Sequence, residues 1–350
     1  MLAKSSERRI SGWGPYFRIA VASAERGRQV ESYAAAGQAA AVSPPGQSHL
    51  EIVRRSESQF RGHREIPLFR RSWLPVEAVR AVALVHGFGE HSGRYDHLGA
   101  WFARRNTAVY SFDLRGHGRS AGRRGHVDGF ADYLNDLEIF LERVFEDAFG
   151  LPVTLIGHSL GGLIVTAFAV ERSPRVQSVV TSGAALELSP SLSRSKILLA
   201  RLLYKLAPRL AVDAGLDPRE ICSNPDVVER YIADPLVHGT TTTSHAVATI
   251  EQIARMRGAG ARVDVPMFLA HGDMDRLCLA RGSESFYQSL PGSVEGSTAP
   301  RAELRIYPQR FHEIFNDFEH DEVFADVLDW IGRCEKDAQA GSGRELHDVQ

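Results

Sequence analysis

Short apolar runs that alternate with helical segments constrain the fold of this chain more than any other feature. Runs of this kind occur at residues 81–85, 107–112 and 153–156, and helical spacing follows them at residues 94–104, 133–149 and 160–171. Three further runs follow later in the chain, at residues 176–181, 265–270 and 302–307. Strands that are apolar throughout are typical of parallel sheets with helices on both faces. The sequence therefore predicts an α/β fold with one doubly wound, mostly parallel sheet and right-handed crossovers.

A long insertion interrupts this alternation between residues 188 and 260. The insertion contains no run typical of a strand, but it has three stretches with helical character, at residues 197–206, 225–231 and 244–256. Because long loops without secondary structure are rare in compact domains, we expect a helical cap inserted between two strands. Such a cap would cover the carboxyl ends of the strands, where open α/β sheets bind ligands. The alternative is that these helices only enlarge the core.

The two ends of the chain differ in pattern from its centre. The N-terminal segment lacks a sustained apolar period and contains Ser43-Pro44-Pro45-Gly46, so we expect it to be flexible, with a possible helix at residues 27–41. An antiparallel hairpin over residues 57–73 is expected at the edge of the sheet. The predicted organisation is a flexible N-terminal extension at 1–50, an α/β core at 51–187 and 261–335, a helical cap at 188–260 and a polar tail at 336–350.

Composition excludes several classes of partner and site. The 350 residues include 41 basic and 43 acidic side chains, so no bulk charge points to nucleic acid as a partner. The three cysteines, Cys222, Cys278 and Cys334, are too scattered to indicate a disulfide framework or a zinc site. No apolar run approaches the roughly 18–20 residues of a membrane span, and the apolar stretch at residues 19–24 is too short for a signal peptide. We therefore expect a cytoplasmic protein, and contact with a membrane surface stays open.

The sequence Gly157-His158-Ser159-Leu160-Gly161 fits the G-x-S-x-G pattern of a serine nucleophile. The pattern alone is a weak signal in a chain with 31 glycines, but here it follows an apolar strand and opens an apolar helix. This is the setting of a nucleophile elbow, where small neighbours permit a sharp, strained turn that exposes the serine hydroxyl. We predict that Ser159 is the nucleophile. The alternative is a serine that only caps the helix.

A serine hydroxyl needs an imidazole to accept its proton, and the imidazole needs a carboxylate to orient it. Around a nucleophile elbow the chain order is serine, then acid, then histidine. His312 follows the last predicted strand by a short loop, which is where the base is expected. The acid is expected directly after the run at residues 265–270, where Asp273 and Asp275 are both candidates. Position alone does not choose between these two carboxylates.

Acyl transfer places negative charge on the carbonyl oxygen of the substrate, and two backbone N–H groups stabilise it. One expected donor is Leu160, directly after the predicted nucleophile. The other is Phe88, in a loop after the strand at residues 81–85 whose flanking glycines let the backbone approach the substrate closely. A phosphate-binding loop is disfavoured, because the spacing does not fit G-x-G-x-x-G and no Lys-Ser/Thr pair follows.

These motifs resemble those of the monoacylglycerol lipase/lysophospholipase family of the α/β-hydrolase superfamily. The matching segments are 86–95 (HGFGEHSGRY), 112–120 (FDLRGHGRS), 157–162 (GHSLGG), 234–237 (DPLV) and 271–277 (HGDMDRL), followed by Tyr307-Pro308 and His312-Glu313. The G-E-H-S-x-R-Y run is specific, whereas G-H-S-x-G-G is shared by many hydrolases. The resemblance covers roughly residues 57–333.

The resemblance implies an α/β-hydrolase fold with its helical cap between two strands. It makes Asp275, the second aspartate of H-G-x-x-D, the acid of the triad. It also implies that Phe88 and Leu160 are the oxyanion donors, and that no metal or cofactor is needed. Cys278 is expected as a buried neighbour of the acid whose modification slows turnover. The N-terminal extension and a long loop at residues 291–300 depart from the family pattern without touching its motifs.

We therefore expect a serine hydrolase for monoacylglycerols or similar single-chain esters, in which Ser159 attacks, His312 transfers the proton and Asp275 orients it. The apolar cap would hold the acyl chain of this small lipid or ester substrate and could touch a membrane surface transiently. Alternatives on the same fold are a lysophospholipase, another carboxylesterase, a thioesterase, an aminopeptidase, a haloperoxidase and an acyltransferase. The complete triad disfavours a non-catalytic binding protein. The sequence does not indicate the oligomeric state.

Overall fold

The predicted strands are present in a computed structural model that describes residues 53–189, 194–293 and 301–345. The strands of these residues are β1 (Arg54–Arg61), β2 (Pro67–Leu74), β3 (Arg80–Val85), β4 (Thr107–Phe112), β5 (Val153–His158), β6 (Ser178–Ser182), β7 (Ala211–Asp213), β8 (Thr240–Thr242), β9 (Met267–Gly272) and β10 (Ala302–Tyr307). Among the described residues, β7 and β8 form a small sheet of their own, and the other eight strands form one large sheet.

The large sheet has the order β1-β2-β4-β3-β5-β6-β9-β10. The strands from β4 to β10 in this order pair in parallel, whereas β2 is antiparallel to both β1 and β4. The prediction of a mostly parallel sheet with a hairpin at its edge is therefore confirmed. Because the chain leaves β3 for β4 on one side and returns to β5 on the other, a crevice opens at the carboxyl ends of β3 and β5.

Helices cover both faces of the large sheet. The helices of the described residues are α1 (Asp96–Ala103), α2 (Ala131–Asp147), α3 (Leu160–Arg172), α4 (Arg194–Leu206), α5 (Pro225–Ala233), α6 (Thr243–Met256), α7 (Ala280–Gln288) and α8 (His320–Glu345). Successive residues of β3 alternate between two apolar cores: Ala83 packs with the side chains of α2 and α3, and Leu84 packs with those of α1 and α8. Side chains of a strand point alternately to opposite faces, so this pattern buries both faces of the sheet.

The insertion between β6 and β9 is helical, but the expectation that it contains no strand is wrong. Strands β7 and β8 pair antiparallel within it, with Val212 opposite Thr241. Three-residue strands are too short to show an alternating pattern, which is why the sequence gives no sign of them. The helices of the insertion differ in burial. Ile253 and Met256 at the end of α6 pack in the main core, whereas Leu202 on α4 is 55% exposed.

The last helix is longer than the sequence suggests. Helix α8 continues to Glu345, so residues 336–345 of the predicted polar tail are helical. Their Lys, Ala, Gln and Glu residues are compatible with a helix, which continues from the buried turns around Trp330. The predicted extension at 1–50, residues 294–300 of the predicted loop and residues 346–350 lie outside the described residues. No helix in the described part of the chain combines the length and apolarity needed to cross a membrane.

Candidate active site

Ser159 lies at a sharp turn between β5 and α3. Its backbone has φ 54° and ψ −115°, a strained conformation for a residue with a side chain. The turn requires glycine on both sides, because a Cβ at Gly157 would lie 2.3 Å from the carbonyl oxygen of Gly161. A Cβ at Gly161 would lie 2.2 Å from the carbonyl oxygen of Val85 on the neighbouring strand. This geometry is typical of a nucleophile elbow.

His312, in the loop between β10 and α8, makes a short hydrogen bond to Asp275. The Nδ1 atom of His312 lies 2.6 Å from Oδ2 of Asp275, and both side chains are buried. Asp273, the other candidate for the acid, is exposed. The backbone N–H groups of Leu277 and Cys278 both donate to Oδ1 of Asp275 at 2.9 Å. The turn after β9 thus fixes Asp275, and not Asp273, against the imidazole.

His271, near the end of β9, is a further partner of Asp275 that the sequence analysis does not identify. Its Nε2 atom lies 3.0 Å from Oδ2 of Asp275 and 2.8 Å from the carbonyl oxygen of Cys278. Because both neighbours are acceptors, Nε2 carries a proton, while Nδ1 lies 2.8 Å from the hydroxyl of Ser283. His271 therefore donates a second imidazole N–H to the carboxylate. The sequence signal for this role is a histidine at a strand end, four residues before the acid.

The pKa values of Asp275 and His312 move in opposite directions. Burial raises the pKa of Asp275, but the charge of His312 and the hydrogen bond from His271 outweigh it and hold the pKa below its usual range. Burial lowers the pKa of His312, but Asp275 outweighs it, so the pKa lies above the ordinary 6.5. Asp275 is therefore ionised at neutral pH, and its charge favours the protonated form of the His312 imidazole.

Ser159 and His312 line the same cavity. The imidazole of His312 lies beside that of His158, with ring centroids 4.8 Å apart, and His158 directly precedes Ser159. The hydroxyl of Ser159 interacts with the thiol of Cys278, whose pKa is raised well above its usual range by burial and by the charge of Asp275. Attack on an ester requires this hydroxyl to turn to Nε2 of His312. Catalytic hydrogen bonds of this kind often tighten only when substrate is bound.

The two expected oxyanion donors flank Ser159. Leu160 begins α3, and the first N–H groups of a helix have no acceptor within it. The loop that contains Phe88 passes close to the elbow, because a Cβ at Gly87 would lie 3.0 Å from the Cβ of Ser159. The N–H of Gly87 donates to Oε1 of Glu90 at 2.6 Å, which fixes the loop in this position. The N-terminus of α3 also favours a negative oxygen here.

A buried network of ion pairs joins this loop to the loop of His312. Arg94 donates to Glu90 at 2.7 Å and makes two hydrogen bonds to Glu313, at 2.6 Å and 2.7 Å. Tyr95 donates its hydroxyl to Glu90 at 2.7 Å. Burial raises the pKa of Glu90, but the nearby Arg94 and histidines outweigh it and lower the pKa to about 2. Glu90, Arg94 and Tyr95 belong to the specific G-E-H-S-x-R-Y run, and the network explains why they occur together.

The cavity at Ser159 has a volume of about 640 Å³. Most of its apolar lining comes from the insertion, namely Leu188, Ile197, Leu199, Leu203, Val212, Leu216, Ile221 and Ile250. Charged groups also line it, and these are Glu90, Asp213, Asp217, Glu220, Arg276 and Glu313. An apolar cavity with a few polar groups next to a reactive serine suits an amphiphilic substrate.

Comparisons with known proteins identify a family and several related lipases. Residues 76–319 match the family described as serine aminopeptidase, S33. The chain is 34% identical to the monoacylglycerol lipase of Mycolicibacterium smegmatis over 279 residues, which cover 79% of this chain and 97% of that protein. The crystal structure of Paleococcus ferrophilus monoacylglycerol lipase is 31% identical, with a TM-score of 0.68 and coverage of 76% of this chain and 99% of that one. A soluble variant of the monoglyceride lipase from Saccharomyces cerevisiae, in complex with a substrate analog, is 25% identical, with a TM-score of 0.70 and coverage of 82% and 97%.

These similarities extend over the whole catalytic core. The family match includes the elbow at Ser159, the turn at Asp275 and the loop of His312. The matched lipases are covered almost completely, so the likeness is not confined to one motif. The chain therefore belongs to the serine aminopeptidase S33 family of α/β-hydrolases.

Proposed function

We propose that this chain is a serine hydrolase that cleaves single-chain carboxylic esters of the monoacylglycerol type through an acyl-enzyme on Ser159. The observation that carries the proposal is a strained serine and a buried Asp275–His312 pair around one apolar cavity. The relatives named monoacylglycerol lipase, one of them 34% identical, support esters as the substrate class.

The first half of the reaction transfers the acyl group to Ser159. Nε2 of His312 accepts the hydroxyl proton while Oγ attacks the ester carbonyl, and the resulting oxyanion is bound by the N–H groups of Phe88 and Leu160. Asp275 holds the Nδ1–H of the imidazolium and stabilises its charge. The tetrahedral intermediate then expels the alcohol, which takes its proton from His312.

The second half releases the acid. A water molecule gives a proton to Nε2 of His312 and attacks the acyl carbonyl, again with negative charge on the oxygen. Collapse of this intermediate returns the proton to Oγ of Ser159 and frees the carboxylic acid. The same residues therefore serve both halves, and no other reactant besides water is needed.

The acyl chain would lie along the apolar lining of the insertion. Side chains such as Ile197, Leu203 and Ile250 belong to helices α4 and α6 and line the cavity that contains Ser159. Each methylene that leaves water in such a cavity contributes about 0.8 kcal/mol. The rate on esters of a single alcohol should therefore rise with chain length until the cavity is filled.

The charges of the cavity favour a neutral head group. Its described lining contains the carboxylates of Asp213, Asp217 and Glu220 in addition to the pair bound to Arg94, and Arg276 is the one arginine among these lining residues. A phosphate head group would meet repulsion from these carboxylates, whereas a glycerol hydroxyl would not. We therefore place monoacylglycerols above lysophospholipids as substrates.

The exposed face of α4 would rest on a lipid surface. Leu198, Leu202 and Leu206 are 69%, 55% and 76% exposed, and their spacing of four residues puts them on one side of the helix. The sequence of α4 contains basic residues and no acidic ones, as in helices that lie at membrane interfaces. Flotation with phosphatidylglycerol vesicles should weaken in a Leu198→Ser/Leu202→Ser variant, and unchanged flotation would refute the contact between α4 and the lipid surface.

The buried, unpaired cysteines fit a reducing compartment such as the cytoplasm.

A substrate panel tests the proposed function. The purified chain should hydrolyse monoacylglycerols faster than lysophospholipids and amides of equal chain length, and should favour medium or long chains over acetate. Ser159→Ala should abolish the activity. Full activity of Ser159→Ala would refute the mechanism, and no preference beyond acetate would refute the acyl site. Addition of glycerol separates hydrolysis from acyl transfer, because a transferase would yield a glyceride in place of free acid.

A further inference from the structure

A short segment of the insertion contacts the loop that carries His312. This loop follows β10, which is the edge strand of the large sheet and has a neighbouring strand on one side only. In the segment at residues 221–223, shortly before α5, the carbonyl oxygen of Ile221 accepts from the N–H of Glu313 at 2.7 Å. Ser223 donates its hydroxyl to Oδ1 of Asp317 at 2.6 Å and its N–H to Oδ2 at 3.2 Å. The segment thus binds the loop at the residue after His312 and again at Asp317.

Asp317 is a fully buried carboxylate that the reaction above does not use. It accepts from uncharged groups, namely the hydroxyl and N–H of Ser223, the N–H of Phe318 at 2.8 Å and the thiol of Cys222. A buried carboxylate has lost its hydration, so it depends on each group that donates to it. Because Ser223 supplies two of these groups, its contact with Asp317 is a strong link between the insertion and the loop.

The residues from His312 to Asp317 form one compact turn. The carbonyl oxygen of Glu313 accepts from the N–H groups of Asn316 and Asp317 at 2.8 Å and 3.0 Å. The carbonyl oxygen of His312 accepts from the N–H of Ile314 at 3.2 Å. These hydrogen bonds close the turn on itself, so a displacement of Asp317 also displaces His312.

The same segment packs against the turn that holds Asp275. A small buried apolar cluster there consists of Ile221, Cys222 and Val227. Leu277 packs against this cluster, and its N–H donates to Oδ1 of Asp275 at 2.9 Å. The acid and the base of the site are therefore both supported by one part of the insertion. Proton transfer requires such groups to be held within a fraction of an ångström.

We propose that Ser223 and Asp317 are positioning residues that hold His312 in place between Asp275 and Ser159. The proposal deepens the function proposed above and rests on it. Neither Ser223 nor Asp317 is among the described residues that line the cavity, so the pair acts on the base through the loop and not on the substrate. Loss of the contact should therefore lower kcat and leave KM unchanged.

The test uses two single variants and their combination. Ser223→Ala removes the hydroxyl donor, and Asp317→Asn keeps the shape of the side chain and removes its charge. Ser223→Thr is the conservative variant that keeps a hydroxyl. Ser293→Ala is the matched control, because the hydroxyl of Ser293 donates to the carbonyl oxygen of Leu290 at 2.7 Å outside the cavity lining. The measured quantities are kcat and KM of the full chain on a medium-chain monoacylglycerol, with active sites counted by fluorophosphonate labelling taken to completion.

We expect kcat per active site to fall about tenfold in Ser223→Ala and in Asp317→Asn, with KM within about twofold of wild type. The double variant should lose no more than about a further twofold, because both changes break the same contact. Ser223→Thr and Ser293→Ala should keep kcat within about twofold of wild type.

Three results would overturn the positioning role: a kcat of Ser223→Ala within about twofold of wild type, a loss confined to KM, or a Ser223→Thr variant as slow as Ser223→Ala. If Asp317→Asn does not fold, the two Ser223 variants decide alone. A folded wild-type chain without esterase activity would instead overturn the proposed function, so the two failures can be told apart.

Discussion

Replacement of Asp275 by asparagine should show how one buried carboxylate controls the base. Oδ1 of Asp275 accepts two backbone N–H groups, and Oδ2 accepts from Nδ1 of His312 at 2.6 Å and from Nε2 of His271 at 3.0 Å. An asparagine in the same place keeps its carbonyl oxygen on the backbone donors. Its NH₂ group then faces both imidazoles where a carboxylate oxygen stood.

This exchange reverses the hydrogen bond to His312. The amide can only donate on that side, so Nδ1 of His312 becomes the acceptor and the proton moves to Nε2. An imidazole with its proton on Nε2 cannot accept the hydroxyl proton of Ser159, and its charged form loses the facing carboxylate. We expect kcat to fall about 10⁴-fold, which corresponds to a barrier higher by about 5 kcal/mol.

The assay is steady-state hydrolysis of a medium-chain monoacylglycerol, with KM and kcat measured separately. The loss should appear in kcat, because Asp275 is buried behind His312 and is not among the residues that line the cavity. Asp273→Asn is the matched control, since this neighbouring carboxylate is exposed, and it should stay within about twofold of wild type because surface substitutions have small effects. Activity of Asp275→Asn within tenfold of wild type, or an equal loss in Asp273→Asn, would refute the reasoning.

Three further predictions follow from burial and charge. The value of kcat/KM should rise with pH through a pKa above 6.5, because His312 must be uncharged to act as the base and its pKa is raised. A rise in kcat/KM centred below pH 6.5 would contradict this. Cys278 lines the cavity beside Ser159, but burial raises the pKa of its thiol, so a bulky maleimide should react with it slowly at neutral pH and faster at higher pH. The modified chain should turn over slowly, and Cys278→Ala should be active and resistant while Cys334→Ala stays sensitive. Complete modification of Cys278 without loss of rate would contradict this. Arg94→Met should lower the free energy of unfolding in urea by about 3–5 kcal/mol, because the buried carboxylates of Glu90 and Glu313 lose their partner. The control Arg143→Met removes an exposed arginine and should leave the unfolding midpoint unchanged. Equal midpoints for Arg94→Met and the wild-type chain would contradict this.

The parallel core and the chain positions of the site could be predicted because each depends on short-range pattern. β4 has its predicted bounds of Thr107–Phe112, and Ser159, Asp275 and His312 each follow a predicted strand. The carboxyl ends of parallel strands meet at one edge of a sheet, so strand order brings these three turns together. The short strands β7 and β8 could not be predicted, because their pairing depends on contacts across the insertion.

The partners of the predicted residues could not be found from the sequence. Asp273 and Asp275 are equivalent by position; the family resemblance favours Asp275, and the fold of the turn is what brings its carboxylate to His312. Glu313 binds Arg94 across 219 residues, and no local pattern reports such a contact. Asp317 is similar, because its contact with Ser223 depends on how the insertion packs against the loop of His312.

Covalent labelling with a fluorophosphonate tests the central claim most directly, because such probes react with a serine that a neighbouring base has activated. Peptide mapping of the labelled chain should find one modified residue, Ser159, and His312→Ala should slow the labelling strongly while the chain stays folded. Absence of label on the folded wild-type chain, a label on another residue, or equal labelling of Ser159→Ala would contradict the account.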